Sequence, residues 1–452
     1  MKLSPELIQK YNKPAPRYTS YPTVPLWDNN ISSEDWENKV KEAFKLYGKS
    51  KGITLYIHLP FCESLCTYCG CNKRITKNHE VEIPYLNSIL LEWKRYLELF
   101  SEKPKLAGIH LGGGTPTFFK PSSLSFFLQE ILNSSEVMDD AEFSFEGHPN
   151  NTTLEHLEEL HKLGFDRVSY GIQDFDMKVQ QAIHRIQPFE KVQEATTIAR
   201  QTGYQSVNFD LIYGLPHQTL DTLYTTFEKV KMLRPDRIAF YSYAHLPSVF
   251  PAQKSYESYL PNDNQKRELY EFGKANLIKI GYREIGMDHF ALPNDPLYTA
   301  KTNDTLHRNF MGYTTSPSKI LIGLGASSIS DIHLAYAQNE KNIEAYQGMI
   351  NNDSWAFQKG HLLSEKDIIV REIILDIICQ HQAEIPLDIW ESLNEKQIFN
   401  LKEMQWEGLL SIDKSKLKVN SQGIAVIRHI CMQFDLKLAE SKTQRQLFSK
   451  AI

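Results

Sequence analysis

Four cysteines are crowded into one short stretch and are the residues of this sequence best suited to chemistry. Cys62, Cys66 and Cys69 follow the pattern CxxxCxxC, and Cys71 comes two residues later. Three thiolates at this spacing can bind an iron–sulfur cluster, which usually has four cysteine ligands, and they would leave one iron open to a small molecule. A structural zinc site is the alternative, although zinc spacings usually combine a CxxC pair with a distant second pair. The other two cysteines lie far along the chain and apart from each other.

Short apolar runs alternate with helical patterns over the middle of the chain, beginning just before the cysteines. The runs cover residues 54–58, 107–111, 143–146, 167–173, 207–212 and 238–243. Between them apolar residues recur with the period of a helix, for example over 83–100 and 220–233. Strands alternating with helices predict βαβ units on a parallel sheet, and about six right-handed units would curl into a barrel or partial barrel.

Polar residues and glycines stand at the carboxyl ends of the predicted strands, where parallel α/β folds collect their functional groups. The first strand leads into the cysteine loop and the second into a triglycine turn at residues 112–114. The third, fourth and fifth strands end at Glu146, Gln173 and Asp210. Because glycines let backbone groups approach a ligand closely, the sequence predicts one binding site at this edge of the sheet.

Composition is that of a globular protein, with 41% hydrophobic and 23% charged residues. The formal net charge of −5 favours neither nucleic acid nor a membrane surface as a partner. No apolar run is long enough to span a membrane, and the polar start of the chain does not resemble a signal peptide. Crowded cysteines that stay free to bind metal favour the cytoplasm.

Three segments are predicted along the chain. Residues 1–46 form an N-terminal arm with an extended stretch of prolines and tyrosines at 11–22, residues 47–355 form the barrel and its extension, and residues 356–452 form a helical domain. A short hairpin near residues 417–419 makes this last domain similar to a winged helix. Such modules often bind DNA, but the net charge of the whole chain argues against this, and the domain is expected to cover the barrel.

The cysteine pattern, with Tyr68 just before its last cysteine, resembles the signature of the radical S-adenosylmethionine (radical SAM) superfamily. The longer string 61–72, which includes Cys71, is similar to that of the oxygen-independent coproporphyrinogen III oxidases. This similarity extends from about residue 11 to the C-terminus. The resemblance implies a 4Fe–4S cluster bound by Cys62, Cys66 and Cys69, together with two molecules of S-adenosylmethionine (SAM).

The resemblance also implies which residues contact SAM, all of them in the barrel and its extension. They are Tyr56, Tyr68, Gly113, Gly114, Thr115, Glu146, Gln173, Arg185, Asp210, Ala244 and Ile329. Catalytic roles are implied for Tyr56 and for Cys71, which would lie beside the second SAM. An inert buried thiol is the alternative for Cys71, because free cysteines are often buried.

The implied reaction converts two propionate side chains of coproporphyrinogen III into vinyl groups and yields protoporphyrinogen IX for haem synthesis. It needs an electron donor and an electron acceptor, and the family resemblance implies a monomer. A substrate with four carboxylates also needs basic partners. The nearest candidates in sequence are Lys13, Arg17, Lys73 and Arg74.

Two other functions remain open at this point. A haem-binding chaperone of the same superfamily would lack the N-terminal arm and carry an aromatic residue in place of Cys71. An iron–sulfur electron-transfer protein would leave the triglycine turn and the polar strand ends unexplained. The sequence also departs from the family once: it has Glu146-Gly147-His148-Pro149 where Glu-Val-Asp-Pro is expected.

Overall fold

The computed structural model describes residues 4–28, 31–441 and 448. Contacts group the chain into a larger unit, Asn30–Tyr298 with Ser316–Lys359, and a smaller one, Met1–Asn29 with Thr299–Thr315 and Gly360–Ile452. These boundaries differ from the predicted segments 1–46, 47–355 and 356–452. Residues 30–46 of the predicted arm belong to the larger unit. Residues 1–3, 442–447 and 449–452 of the predicted terminal segments lie outside the described residues.

Six parallel strands form the middle of a 12-stranded sheet. They are β1 (Ile53–Leu59), β2 (Lys105–Gly113), β3 (Glu136–Gly147), β4 (Arg167–Gln173), β5 (Ser206–Tyr213) and β6 (Arg237–Ser242), adjacent in this order. Each coincides with a predicted run. β3 begins well before the predicted start at residue 143, because its first half is largely exposed and carries no apolar pattern.

The sheet continues beyond these six strands on both sides. Leu321–Leu324 pairs in parallel with β1, and it is followed outwards by Ile329–Asp331, Ala335–Asn339 and Phe357–Leu362. Next to β6 lie the antiparallel strands His289–Ala291 and Arg283–Gly286. A separate short pair, Phe61–Cys62 with Arg74–Ile75, closes the base of the cysteine loop.

Helices follow most of the strands of the larger unit. They are Ser33–Ala43, Lys49–Lys51, Glu82–Leu99, Pro121–Asn133, Leu154–Lys162, Met177–Ala182, Phe189–Thr202, Leu220–Leu233, Asp263–Lys279 and Ile343–Asn351. Shorter helical turns cover Phe44–Gly48, His79–Val81, Pro116–Phe118 and Pro251–Tyr259. The predicted apolar face of Glu82–Leu99 is buried through Leu86, Ile89 and Trp93. This burial against the sheet explains the 3.6-residue period.

The smaller unit is mainly helical. Its helical segments are Pro5–Tyr11, Val24–Leu26, Glu365–Gln380, Leu387–Ser392, Glu395–Trp406, Gly423–Val426, Ile427–Met432 and Leu436–Glu440, and Pro296–Thr302 crosses the boundary in sequence. A three-stranded sheet joins Gln382–Glu384, Lys416–Val419 and Leu410–Asp413. A strand is thus present at the predicted residues 417–419, but its hairpin partner precedes it at Leu410–Asp413, and Gly423 begins a helical turn. Residues 298–313, predicted to be a loop, contain part of a second hairpin, His307–Asn309 with Gly312–Thr314.

The N-terminal arm is anchored within this smaller unit. Tyr18 is buried, and its hydroxyl donates a hydrogen bond to Asp435 over 3.0 Å. The buried guanidinium of Arg428 donates to the carbonyls of Ala15 and Pro16. The proline-rich stretch is therefore held by side chains that satisfy its backbone. None of the helices in the described part of the chain combines the length and apolar character that a membrane span needs.

Candidate functional site

The cysteine loop begins directly after β1 and lies against the triglycine turn that ends β2. The N–H of Gly114 donates to the carbonyl of Leu59 over 2.8 Å, and the N–H of Thr115 donates to the carbonyl of Phe61 over 3.0 Å. β1 and β2 are in register up to Leu59 and Gly113. The ends of two neighbouring strands thus join the loop to the turn.

A cavity of about 600 Å³ opens between this loop and the ends of the following strands. Most of the residues predicted from the sequence line it: Cys62, Cys66, Tyr68, Cys69, Cys71, Gly113, Gly114, Thr115, Glu146, Gln173, Arg185 and Asp210. They come from β1 to β5 and from the loops after them. The structure therefore brings the cysteines and the polar strand ends together in one place.

Three predicted residues do not line this cavity. Tyr56 lies inside the sheet, where its ring stacks on that of His110 at 6.0 Å and its hydroxyl is 3.1 Å from Nδ1 of His58. The Ala244 carbonyl accepts a hydrogen bond from Gln253. Ile329 belongs to an antiparallel strand beyond Leu321–Leu324.

Tyr56 and Ala244 are nevertheless connected to the cavity through single neighbours. His110, on which Tyr56 stacks, has its Nε2 3.6 Å from the carboxylate of Glu146. Gln253, which binds the Ala244 carbonyl, also donates to the carbonyl of Tyr68 over 3.3 Å. Both residues can therefore influence the cavity wall through these contacts.

The sulfur atoms accept hydrogen bonds from cavity residues. The Thr115 hydroxyl donates to Sγ of Cys62 over 3.3 Å, and Nη1 of Arg185 donates to Sγ of Cys66 over 3.4 Å. A hydrogen bond from the Cys71 thiol lowers the pKa of Cys69. Hydrogen bonds to sulfur stabilise thiolates, and in iron–sulfur proteins they tune the cluster.

Lys73 holds the end of the cysteine loop. Its ammonium donates to the carbonyl of Cys69 over 3.0 Å and is 3.4 Å from the carbonyl of Cys71. Its positive charge also favours the thiolate form of Cys69 and so lowers the pKa of that thiol. A cation at this place fits a cluster whose thiolate and sulfide groups carry net negative charge.

These features fit a cluster bound by three cysteines. Among the described residues, no group of three or more His, Cys, Asp or Glu side chains is placed to hold a metal ion. A four-iron cluster binds each cysteine through a different iron, so its ligands need not converge on one point. Cys62, Cys66 and Cys69 share one cavity, in which Cys62 accepts a hydrogen bond from Thr115 and Cys66 accepts one from Arg185.

Two carboxylates give the cavity its acidic character. Glu146 accepts a hydrogen bond from the N–H of Gly113 over 3.2 Å. Asp210 accepts from Ser169 over 3.2 Å and from Asn208 over 3.0 Å. Burial raises the pKa of Asp210 to about 6, and the negative charge of Glu146 acts in the same direction. Such a pair favours a ligand with positive charge or several donors.

Arg185 provides positive charge on the same cavity. Nε and Nη2 donate to the carbonyl of Gly171 over 3.0 and 2.6 Å. A Cβ at position 171 would lie 2.9 Å from Nη2, so a larger residue there would push the guanidinium aside. Gln173, which ends β4, adopts a left-handed backbone with φ of 66°. Strained backbone at a cavity is typical of functional sites.

Other cavity residues were not predicted from the sequence. They include Glu63, Ser64, Lys77, His148, Asn150, Asn151, Ser169, His184, Ile186 and Tyr241. Several of them directly follow a strand that was predicted correctly. Their position just after a strand end could therefore have indicated that they line the cavity. Ser169 and Tyr241 lie within strands, where position gives no such signal.

The predicted basic partners of the substrate are placed differently from one another. Lys73 lines the cavity, but its ammonium binds the loop carbonyls. Arg74 forms a two-bond pair with the exposed carboxylate of Glu344. Lys13 and Arg17 belong to the smaller unit. Lys77, which lines the cavity, is therefore a better candidate than Arg74.

Family models match two parts of this chain. Residues 56–230 match the radical SAM superfamily, and residues 363–426 match the HemN C-terminal domain. The first match spans the cysteine loop and β1 to β5. The second covers the helices from Glu365–Gln380 to Gly423–Val426 and the three-stranded sheet of the smaller unit.

Full-length relatives have the same name in several bacteria. The oxygen-independent coproporphyrinogen III oxidase of Escherichia coli K12 is 37% identical over 99% of this chain and 98% of its own length. Those of Pseudomonas aeruginosa and Helicobacter pylori J99 are 36% and 38% identical, over 99% and 96% of this chain and 98% and 96% of their own lengths.

A solved structure is similar over nearly the whole chain. It is the E. coli coproporphyrinogen III oxidase (HemN), described as a radical SAM enzyme, with a TM-score of 0.89 and 34% identity over 96% of this chain and 99% of that one. The predicted α/β radical SAM fold with a helical C-terminal region is thereby confirmed. This chain belongs to the oxygen-independent coproporphyrinogen III oxidase family of the radical SAM superfamily.

Proposed function

We propose that this chain catalyses the oxygen-independent oxidative decarboxylation of coproporphyrinogen III to protoporphyrinogen IX, a step of haem synthesis. One observation carries the proposal: three cysteines face the same cavity as a triglycine turn and two strand-end carboxylates. The names of the full-length relatives supply the substrate. In each of two rounds a propionate loses one hydrogen atom from its β-carbon, one electron and carbon dioxide, and the remaining two carbons form a vinyl group.

Cys62, Cys66 and Cys69 are the proposed ligands of the 4Fe–4S cluster. When bound, the reduced cluster and SAM together supply the radical that takes the hydrogen atom. The chain's part is to orient the groups and exclude water. Thr115 and Arg185 contribute by donating to the sulfur atoms of Cys62 and Cys66.

The proposed SAM contacts fall into groups according to the part of SAM that each can bind. Gly113 and Gly114, with Thr115, offer backbone groups at this end of β2. A Cβ at Gly114 would meet the loop backbone at Pro60, and one at Gly113 would meet the ring of His58. Glu146 and Asp210 accept hydrogen bonds from amine or ribose groups, and Arg185 binds a carboxylate. The remaining contacts are Tyr56, Tyr68, Gln173, Ala244 and Ile329.

Two SAM molecules are proposed, because two propionates are decarboxylated and each hydrogen transfer consumes one SAM. Cys71 lines the cavity beyond the third cluster ligand and is proposed to act beside the second SAM. Tyr56 contacts the cavity through His110 and Glu146, so its proposed catalytic role is indirect in this arrangement.

The remaining parts of the proposal concern the cellular setting. An external reductant must reduce the cluster, and an acceptor must take the electron that each decarboxylation releases. We propose that the protein acts as a monomer in the cytoplasm, where free thiols remain available to bind iron. Size-exclusion chromatography of the iron-loaded protein tests whether it is a monomer. Elution at the volume expected for a dimer would contradict the proposal.

The test of the reaction is anaerobic incubation of the reconstituted protein with coproporphyrinogen III, SAM and a reductant. We expect carbon dioxide and the divinyl product, measured after oxidation to porphyrins. Cys71→Ser should keep the iron but lose most of the product. Tight haem binding without release of carbon dioxide would instead identify a haem chaperone and refute the proposal.

A further inference from the structure

His148 follows β3 directly and lines the cavity, but the mechanism above gives it no role. We propose that His148 donates a hydrogen bond from Nε2 to a carboxylate of a bound ligand, next to the positive charge of Arg185. The inference rests on the proposed function, since both of its ligands carry carboxylates: the methionine part of SAM and the propionates of the tetrapyrrole.

The backbone around His148 is fixed by hydrogen bonds. Its carbonyl accepts the N–H groups of Asn151 and Thr152, each over 2.9 Å, and its own N–H donates to the Thr117 hydroxyl over 3.4 Å. The ring is fixed as well, because Nδ1 accepts the N–H of Asn150 over 3.1 Å. A ring held in this way cannot turn freely, and an oriented donor loses little entropy when it binds.

The same contacts decide where the proton lies. Burial lowers the pKa of His148 to about 2, and the positive charge of Arg185 acts in the same direction, so the ring is neutral near pH 7. Because Nδ1 is the acceptor for Asn150, the one proton lies on Nε2. Within residues 4–28, 31–441 and 448, Nε2 has no hydrogen-bond partner, and the ring lines the cavity. A donor is therefore available to a ligand.

The neighbouring Arg185 makes a carboxylate the expected acceptor. Three of its five N–H groups are used, by the Gly171 carbonyl and by Sγ of Cys66, and the other two have no partner among the residues that the structure describes. A guanidinium with free N–H groups favours a carboxylate over a neutral acceptor. An aspartate at position 148, which the family pattern leads one to expect, would neutralise Arg185 and repel that carboxylate. Histidine donates a hydrogen bond and leaves the positive charge in place.

The experiment compares His148→Leu, His148→Gln and His148→Asp in the iron-loaded protein. His161→Gln is the matched control, a histidine on the helix Leu154–Lys162 that is not part of the cavity lining. Equilibrium dialysis measures the affinity for SAM without substrate, and binding of coproporphyrin III measures the affinity for a tetrapyrrole. Iron content and circular dichroism verify that each variant is folded.

We expect His148→Leu to weaken binding of one ligand about tenfold, as for loss of one hydrogen bond to a charged group. His148→Gln should retain most of the affinity because its amide can donate, and His148→Asp should bind at least as weakly as His148→Leu. His161→Gln should behave as the wild type. A change confined to SAM assigns the methionine carboxylate, and a change confined to the porphyrin assigns a propionate.

Wild-type affinity of His148→Leu for both ligands would overturn the inference. Equal losses in His148→Gln and His148→Leu would also overturn it, because the ring would then contribute packing and no hydrogen bond. These outcomes are distinct from failure of the proposed function. That failure is seen in the wild type, when coproporphyrinogen III gives no product, whereas the affinity measurements do not depend on turnover.

Discussion

Replacing Gly114 by alanine tests whether the triglycine turn must touch the cysteine loop. An added Cβ would lie 2.6 Å from the carbonyl carbon and oxygen of Pro60 and 2.9 Å from the carbonyl oxygen of Phe61. Ordinary contact begins near 3.4 Å, so these backbone atoms must retreat by several tenths of an ångström. Overpacking of this kind costs about 1–3 kcal/mol. Two hydrogen bonds between turn and loop would be stretched, at about 1 kcal/mol each.

The expected total is a loss of about 3–5 kcal/mol in the free energy of unfolding. We expect a stronger effect on function, because displacing reacting groups by about 1 Å can reduce rates about 100-fold. Urea unfolding, iron content after anaerobic reconstitution and SAM affinity are measured together. SAM affinity should fall even in those Gly114→Ala molecules that retain iron.

Gly348→Ala is the matched control for this substitution. Gly348 lies inside the helix Ile343–Asn351, and a Cβ there would meet no atom within 4 Å. Alanine should therefore stabilise the protein by about 0.5–1 kcal/mol and leave the cavity unchanged. Wild-type stability and SAM affinity in Gly114→Ala would refute the argument that close approach of the two segments shapes the site.

Three further predictions follow from the site and its surroundings. Cys62→Ser should prevent assembly of the iron–sulfur cluster, whereas Cys379→Ser should retain it, as iron and sulfide analysis will show; zinc in place of iron would contradict this. Asp210→Ala should keep the iron and weaken SAM binding about 10- to 150-fold. In the wild type SAM affinity should fall as the pH drops through about 6, because Asp210 loses its charge there; a flat profile between about pH 5 and 8 would contradict this. Glu92 is buried, which raises its pKa from 4.5 to about 7. Its folded form therefore holds a proton that the unfolded form releases, and stability should fall by about 3 kcal/mol as the pH rises from 4.5 to 7. In Glu92→Gln the free energy of unfolding, measured with urea, should depend less on pH over this range. This holds whether the substitution raises or lowers the stability at any single pH.

The central strands and the cysteine loop could be predicted because their signals are local. β4 has the predicted bounds, and β1, β2, β5 and β6 differ from theirs by one or two residues at each end. Each is a buried apolar run bounded by turn residues, which is the pattern a parallel strand requires. The place of Glu146 and Asp210 in the cavity could be predicted from the same strands. Both residues stand at the carboxyl ends of strands, and parallel strands present these ends at one edge of the sheet.

Features that depend on distant segments could not be predicted in this way. Leu321–Leu324 pairs with β1 although the two are far apart in sequence, and its apolar run alone did not reveal that partner. Residues 299–315 were assigned to the barrel extension, yet they group with the C-terminal helices, since their strands are too short to show a period. Lys73 was predicted to bind substrate. Its hydrogen bonds to the loop carbonyls depend on how the chain turns after Cys71.

The cavity combines two strand acids, Glu146 and Asp210, with Arg185 from the loop between the helices Met177–Ala182 and Phe189–Thr202. SAM carries a carboxylate beside positive amine and sulfonium groups, so its site needs charges of both signs. Without a ligand, the charge of Glu146 contributes to the raised pKa of Asp210, and positive groups of SAM would relieve this repulsion. Arg185 needs the opposite partner, because a guanidinium held in a half-buried site is stabilised by a carboxylate. A neutral donor at position 148 leaves the positive charge of Arg185 available to a carboxylate, whereas an acid there would place negative charge beside Arg185.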